Sequence, residues 1–489
     1  MEAQICNGRI HGTVEGGMLA FKNIPFAQPP VGRLRFQPPQ PATPWDGVRD
    51  CTAYGPRPCQ NPPPWSLDRH TAQYSEDCLN LNVWTPAADG GRRPVLFNIY
   101  GGGHMEGSNS EQEREGWRLA HGQDVVVVAP NYRVGPLGYL YLPHLLGGAY
   151  AASGSLGLLD QIAALRWVQE NIAALGGDPN RVTILGQSAG GKSVCSLLAA
   201  PGAQGLFQRA VAMSGALQCI TDTKTDRALT RNFLAAMKLK ESDAAQLLTC
   251  PVENLLAAQE VASETYFKAE SYGPTADGVV LPTDVAGNIR AGGTTPVPVL
   301  LGHTREELCL PPDADRTDIG DEAVARRMVW KFGDNAPLVM ERYHAARRTM
   351  DFASAYGAVA TEYTYVQGGQ RTAELLLGAN YPLWLYRWDF RGGWLAHHSS
   401  DNEALFGTSN PQKVAREPEA TARLEQEFQQ VVLNFAEGNA PQANTLPTWP
   451  TCTRTHWQRM IFDGTSRVED MPAAGYDRAF PLQVMKLQY

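Results

Sequence analysis

Residues 182–199 confine this chain to a narrow set of folds. The apolar run Val182-Thr183-Ile184-Leu185 leads into Gly186-Gln187-Ser188-Ala189-Gly190, and a helical stretch, Ala189 to Ala199, follows at once. A serine with a glycine two positions away on each side, set between a buried strand and a helix, makes a turn that lifts a nucleophilic hydroxyl clear of a sheet. The serine backbone in such a turn is strained, and a β-carbon at either flanking position would strike the neighbouring strand or helix. The pattern alone could arise by chance in a chain with 47 glycines. The strand before it and the helix after it favour the nucleophile over an ordinary glycine turn. Acyl-transfer chemistry is therefore expected, on condition that a histidine, an acid and an oxyanion hole lie elsewhere in the chain.

The rest of the chain alternates in the way this turn requires. Leu96, Phe97, Ile99 and Tyr100 read as one strand and Val125 to Ala129 as a second, apolar enough to be buried on both faces. Leu158, Ile162, Leu165, Val168, Ile172 and Leu175 fall at helical spacing and give one apolar stripe. Gly176-Gly177 ends that helix, and Asp178-Pro179-Asn180 turns the chain toward the strand before the serine. Further strands are expected at Ala210 to Met213, Val297 to Leu301, Leu383 to Trp388 and Met460 to Phe462. The pattern predicts a mostly parallel sheet covered on both faces, with ligands at the carboxyl ends of its strands. Residues of about 221–270 and 320–377 read as helical excursions above the sheet.

Bulk properties bound the remaining possibilities. A length of 489 residues, 43% hydrophobic and 19% charged, suits one cooperative enzyme unit spanning 1–489. The net charge of -8 argues against nucleic-acid binding, and no window approaches 18 consecutive apolar residues, so no membrane span is expected. The start, Met1 to Asn7, lacks the basic and apolar regions of a signal peptide, which points to a cytoplasmic protein. Nine scattered cysteines with no C-x-x-C pair fit buried thiols in a reducing compartment better than a disulfide framework or a zinc site.

In such a fold the acid and then the histidine follow the serine along the chain. His344 sits in a helical stretch, His456 precedes a strand, and His303 leaves no room for an earlier acid. The pair His397-His398 comes just after the strand Leu383 to Trp388, in a glycine- and serine-rich loop, and spacing does not choose between them. A metal fragment is the rival reading of the pair, but no further ligand cluster accompanies it. For the acid, Val297 to Leu301 runs into His303-Thr304-Arg305-Glu306-Glu307, with a solvated acidic turn as the bland alternative and Asp277, in a tight turn, as a weaker rival. Gly101-Gly102-Gly103 after the strand ending at Tyr100, together with Ala189, supply the N–H donors that an oxyanion needs. A dinucleotide loop fails here because G-x-G-x-x-G is not completed before a helix.

With these residues in place, the chain resembles the type-B carboxylesterase/cholinesterase family, most closely its bacterial p-nitrobenzyl-esterase-like members. The resemblance runs over nearly the whole length, through FKNIPFAQPPVGRLRF (21–36), SEDCLNLNVW (75–84), NIYGGGHMEGS (98–108), NYRVGPLGYL (131–140), LGLLDQIAALRWVQENIAALGGDPNRVTILGQSAGG (156–191) and LLGHTREE (300–307). It implies an α/β-hydrolase fold and a triad of Ser188, Glu307 and His398, with Glu306 at a neighbouring acidic position. His398 is selected because the family's histidine lies nine residues before the glycine of a segment matching Leu405-Phe406-Gly407. Gly102, Gly103 and Ala189 resemble the oxyanion donors, and Ser214 a serine that supports the histidine–acid pair. Arg35 with Glu76 and Arg133 with Asp160 resemble structural ion pairs, and Cys59 with Cys78 match a disulfide of secreted relatives whose loop contains Trp65.

Departures from the family pattern carry their own expectations. Gln187 stands where glutamate is common, which removes a negative charge near the site and weakens a preference for cationic substrates. Leu308 replaces a usual glycine after the acid, and Ser399 a usual glycine after the histidine. His104 takes a position usually held by Phe or Tyr, which makes the pocket there more polar. Trp65 is expected to line the gorge as a hydrophobic surface more than to bind choline.

The sequence thus reads as a serine carboxylic-ester hydrolase for small to medium neutral esters, working through an acyl-enzyme, with no cofactor and no metal, as a monomer acting on a small-molecule ester without nucleic-acid or membrane partners. An amidase or transacylase would share every residue named. A non-catalytic binding protein of the same family would typically lack a triad residue, and here all three remain.

Overall fold

The apolar runs assemble into one sheet because each is flanked by a segment long enough to cross back over it. The computed structural model describes residues 1–62, 71–265, 272–309 and 335–471, with positions 322, 324, 325 and 328 between the last two segments. Numbered along the chain, the sheet strands are β1 (Thr13–Glu15), β2 (Met18–Pro25), β3 (Asn80–Thr85), β4 (Arg93–Ile99), β5 (Val126–Pro130), β6 (Gly177–Gln187), β7 (Arg209–Met213), β8 (Val299–Thr304), β9 (Leu383–Trp388), β10 (Trp457–Phe462) and β11 (Arg467–Met471). Across the sheet they run β11-β10-β9-β8-β7-β6-β4-β5-β3-β2-β1. Neighbours from β5 to β10 pair in parallel, and antiparallel strands close both edges. This is the α/β-hydrolase arrangement the sequence implies.

Strand alternation splits the core between the two faces of the sheet. On β4, Val95, Phe97 and Ile99 enter one cluster and Leu96 the other; on β7, Ala210 and Ala212 oppose Val211 and Met213. The first face is covered by α1 (Leu156–Asn171), whose stripe of Leu158, Ile162, Leu165 and Val168 is fully buried, and by α2 (Ala189–Ala199). Within those two stretches the described residues include α3 (Thr223–Ala236), α4 (Val252–Thr265), α5 (Ala336–Arg347), α6 (Phe352–Thr361) and α7 (Gln367–Gly378). The second face is covered by α8 (Ser400–Phe406) and α9 (Pro418–Glu437), which bury Leu405, Phe428 and Val432. Among the described residues no helix is long and apolar enough to cross a membrane.

Two ion pairs lock loops near the strand ends. Arg133 donates to Asp160 from Nε at 2.8 Å and from its terminal nitrogen at 2.7 Å, with both side chains almost wholly buried. Arg35 meets Glu76 through two bonds of 2.7 and 2.5 Å. Breaking such a buried pair from one side costs about 3–5 kcal/mol, because the other charge is left behind.

Candidate active site

β6 ends at Gln187 and α2 begins at Ala189, so Ser188 alone makes the corner. Its backbone stands at φ 59° and ψ -124°, a conformation that costs about 1–3 kcal/mol and survives only where neighbours enforce it. The Ser188 N–H donates to the Met213 carbonyl at 2.9 Å, and its own carbonyl accepts from Lys192 N–H at 2.8 Å. A β-carbon on Gly186 would lie 2.5 Å from the Gly190 carbonyl carbon, and one on Gly190 only 2.0 Å from the Ile99 carbonyl oxygen. Both flanking glycines are therefore fixed by contact with the backbone, as the pentapeptide implies.

Beyond the end of β8, adjacent acidic residues point opposite ways. Glu307 turns inward and is buried. Its Oε1 accepts from Ser214 Oγ at 2.5 Å and from the Thr304 N–H at 2.8 Å, and its Oε2 takes a short hydrogen bond from His398 Nδ1. Burial works against its charge, but attraction to His398 and the hydrogen bonds from His398 and Ser214 outweigh it, so the carboxyl is held below the ordinary glutamate range. Glu306 turns outward, where it pairs with Arg391 and accepts from the Ala396 N–H at 2.9 Å, tying the histidine loop to the strand end. The rival Asp277 folds onto its own turn, accepting from the Val279 N–H at 2.8 Å.

The two histidines left open by spacing are separated by their partners. His398 takes Glu307, whereas His397 sits among Ser400 Oγ at 2.7 Å, Glu403 at 3.0 Å and Lys413 Nζ at 3.2 Å. Ser399 between His398 and α8 adopts φ 79°, the left-handed region, which is why glycine is usual there. His344 and His456 are exposed, and burial holds the His303 imidazole below its ordinary value despite its bond to the Thr304 carbonyl.

Ser188 and His398 line one cavity, but among the described residues no hydrogen bond joins Ser188 Oγ to the imidazole. His398 Nε2 instead meets the Gln187 amide nitrogen at 3.1 Å. Beside them, the N–H groups of Gly102, Gly103 and Ala189 meet no protein acceptor among the described residues, so three donors remain unspent. Gly102 stands at φ 109°, with its carbonyl accepting from Met105 and Glu106 at 3.0 Å, and a β-carbon there would lie 2.3 Å from the Glu106 carbonyl oxygen. That cavity has a volume of about 1070 Å³, and its described wall comes from Arg57, Gln60 and Tyr74 and from segments 101–118, 187–188 and 398–413. Among the described residues four basic side chains (Arg57, Arg114, Arg118, Lys413) accompany four acidic ones (Glu106, Glu111, Glu113, Glu403), so the described wall is polar and its charges balance.

Three expectations about the surroundings are corrected or fall elsewhere. His104 does not line this cavity: its ring is buried, with Nε2 at 3.2 Å from Ser193 Oγ, Nδ1 at 3.2 Å from the Tyr272 carbonyl, and its centroid 5.0 Å from that of Tyr139. A positive φ of 58° at His104 turns the side chain inward. The Cys59–Cys78 bridge is not formed; both are buried free thiols. Burial pushes the Cys59 thiol up to about 12 and the Cys78 thiol well above its ordinary value, disfavouring the thiolate that would attack. Trp65 lies outside the described residues.

Some neighbours of the base carry no signal in the sequence. Residues Glu362–Val366 form a single π-helical turn between α6 and α7, and from it the Tyr365 ring packs 5.0 Å from that of His398. Asp401, buried on the first turn of α8, accepts from Tyr386 OH at 2.6 Å; burial and then repulsion from Glu307 raise its carboxyl to about 6. Leu308 packs against the small core of α5 and α6, and its N–H donates to Thr361 Oγ1 at 3.0 Å, so the side chain in place of glycine anchors the second excursion.

Residues 1–476 match the model of the carboxylesterase family. The para-nitrobenzyl esterase of Bacillus subtilis is 34% identical over 95% of each chain, and the liver carboxylesterase of Sus scrofa 30% identical over 88% of this chain and 82% of that one. A solved carboxylesterase of Geobacillus stearothermophilus superposes with a TM-score of 0.84 at 36% identity, covering 96% of this chain and 98% of that one.

Proposed function

Because this chain belongs to the carboxylesterase family and hydrolyses carboxylic esters, we propose that the reaction runs through Ser188, His398 and Glu307 as nucleophile, base and orienting acid. What carries this reading is the Glu307–His398 pair set beside a strained serine, with three unspent N–H groups nearby. Glu307 holds the proton on Nδ1, so that Nε2 carries the lone pair that takes the Ser188 proton as Oγ attacks the ester carbonyl. The carbonyl oxygen, now negative, is met by Gly102, Gly103 and Ala189. The imidazolium returns its proton to the departing alkoxide, and water, activated by the same histidine, then releases the acid.

Ser214 supports the pair from behind by filling the second oxygen of Glu307. The balanced charges of the cavity wall favour neutral esters over cationic or anionic ones, in line with Gln187 replacing a carboxylate. The protein works as one catalytic unit and as a monomer in a reducing compartment, where its nine free thiols stay unbridged. Initial rates on p-nitrophenyl esters of increasing chain length, with choline and anionic esters alongside, test the substrate class. Neutral esters should give the highest kcat/KM, and a dominant choline ester would refute it. Full turnover by Ser188→Ala that melts like the wild type would refute the nucleophile.

A further inference from the structure

Resting on the reading of Ser188 and His398 above, we propose that Gln187 caps the base in the empty enzyme and that an entering ester must displace it before Ser188 is activated. His398 Nδ1 faces the Glu307 carboxylate, so its proton is on Nδ1 and Nε2 presents a lone pair. The Gln187 group 3.1 Å away is then its N–H, donated to that lone pair. An imidazole nitrogen has one in-plane lone pair. Gln187 and the Ser188 hydroxyl therefore compete for it, and Gln187 holds it here.

The surroundings keep the cap in place. Gln187 is buried, the last residue of β6, and its Oε1 lies 3.3 Å from where a β-carbon of Gly101 would stand. The amide thus rests against the oxyanion loop in space that the bare Gly101 leaves open. A glutamate at position 187 has no proton to give the neutral ring and pairs only with the imidazolium. The glutamine donates to the neutral ring and, with its amide turned over, accepts from the protonated one. Position 187 then sets how much of the empty enzyme is poised to react.

The test is the second-order rate of Ser188 inactivation by a small alkyl fluorophosphonate, measured from pH 5 to 9 in wild type, Gln187→Met and Gln187→Glu. Methionine has a similar length and no donor. It should raise the rate on the alkaline plateau about two- to tenfold, the worth of one uncharged hydrogen bond. Glutamate should move the acid limb of the profile to higher pH and, on the plateau, also exceed the wild type. A Gln187→Met protein that melts like the wild type and is inactivated no faster overturns the cap. If that variant does not fold, a plateau rate for Gln187→Glu no higher than wild type overturns it equally. A wild type that is not labelled at Ser188 at all overturns the nucleophile reading as well, which separates the two failures.

Discussion

The strand ends and the cavity wall are built under different constraints. At the ends of β4, β6, β7 and β8 almost every residue is fixed by contact with backbone: Gly186 and Gly190 have no room for a β-carbon, Ser188 is held at positive φ, and Glu307 is bonded through both oxygens. The described wall, from Arg57, Gln60, Tyr74, 106–118 and 399–413, is polar, partly exposed and paired within itself, as in Arg114 with Glu111 at 3.1 Å. A region specified by steric exclusion tolerates few residues and advertises its chemistry. One specified by solvated side chains tolerates many and sets selectivity in small increments.

Substitutions should therefore separate the two regions by size of effect. Glu307→Gln leaves the shape of the pair but lets the imidazole lose its tautomer, and should lower kcat by about 10⁴-fold with little change in melting temperature. A loss under tenfold would mean that the strand end is not the seat of the chemistry. Gly102→Ala forces the oxyanion loop off the Glu106 carbonyl and should cost on the order of 10²–10³-fold in kcat, read against an unchanged KM for a short ester.

Away from the strand ends, Asp226 on α3 is raised to about 7, chiefly by burial, although Thr221 Oγ1 donates to it at 2.6 Å. Its folded-state value lies above the ordinary 3.8, so folding prefers the protonated form. The stability it contributes is full below about pH 4 and is lost as pH rises through about 7. Asp226→Asn should flatten that fall, gaining up to about 4 kcal/mol at pH 8 and little at pH 4 in urea melts, with activity on short esters unchanged. Ser214→Ala removes one bond to Glu307 while leaving the Thr304 N–H in place, and should lower kcat less than tenfold. Lys413→Met in the wall should change relative kcat/KM among neutral esters by no more than a few-fold. A larger effect there would move the boundary between the regions.

This division also explains what the sequence discloses. Ser188, Glu307 and Gly101–Gly103 stand out in the sequence as candidates because a strand end leaves so few residues that fit, and the family resemblance selects His398 from a pair that local pattern does not resolve. The reason for the choice is visible only in three dimensions, where His397 is drawn to Ser400, Glu403 and Lys413. His104 misleads because its position beside the oxyanion loop is read without its positive φ, which turns the ring into the core. Tyr365 is silent because one extra residue in a helical turn has no signature in composition or period. The Gln187 contact joins residues 211 apart, and nothing local in the chain announces it.

The triad is tested most directly by peptide mass mapping after reaction with one equivalent of fluorophosphonate, in wild type, Ser188→Ala and His398→Ala. A single adduct on Ser188 in the wild type, none in Ser188→Ala and labelling slowed by several orders of magnitude in His398→Ala is the predicted outcome. An adduct on another residue, or Ser188 labelled as fast without His398, would contradict it.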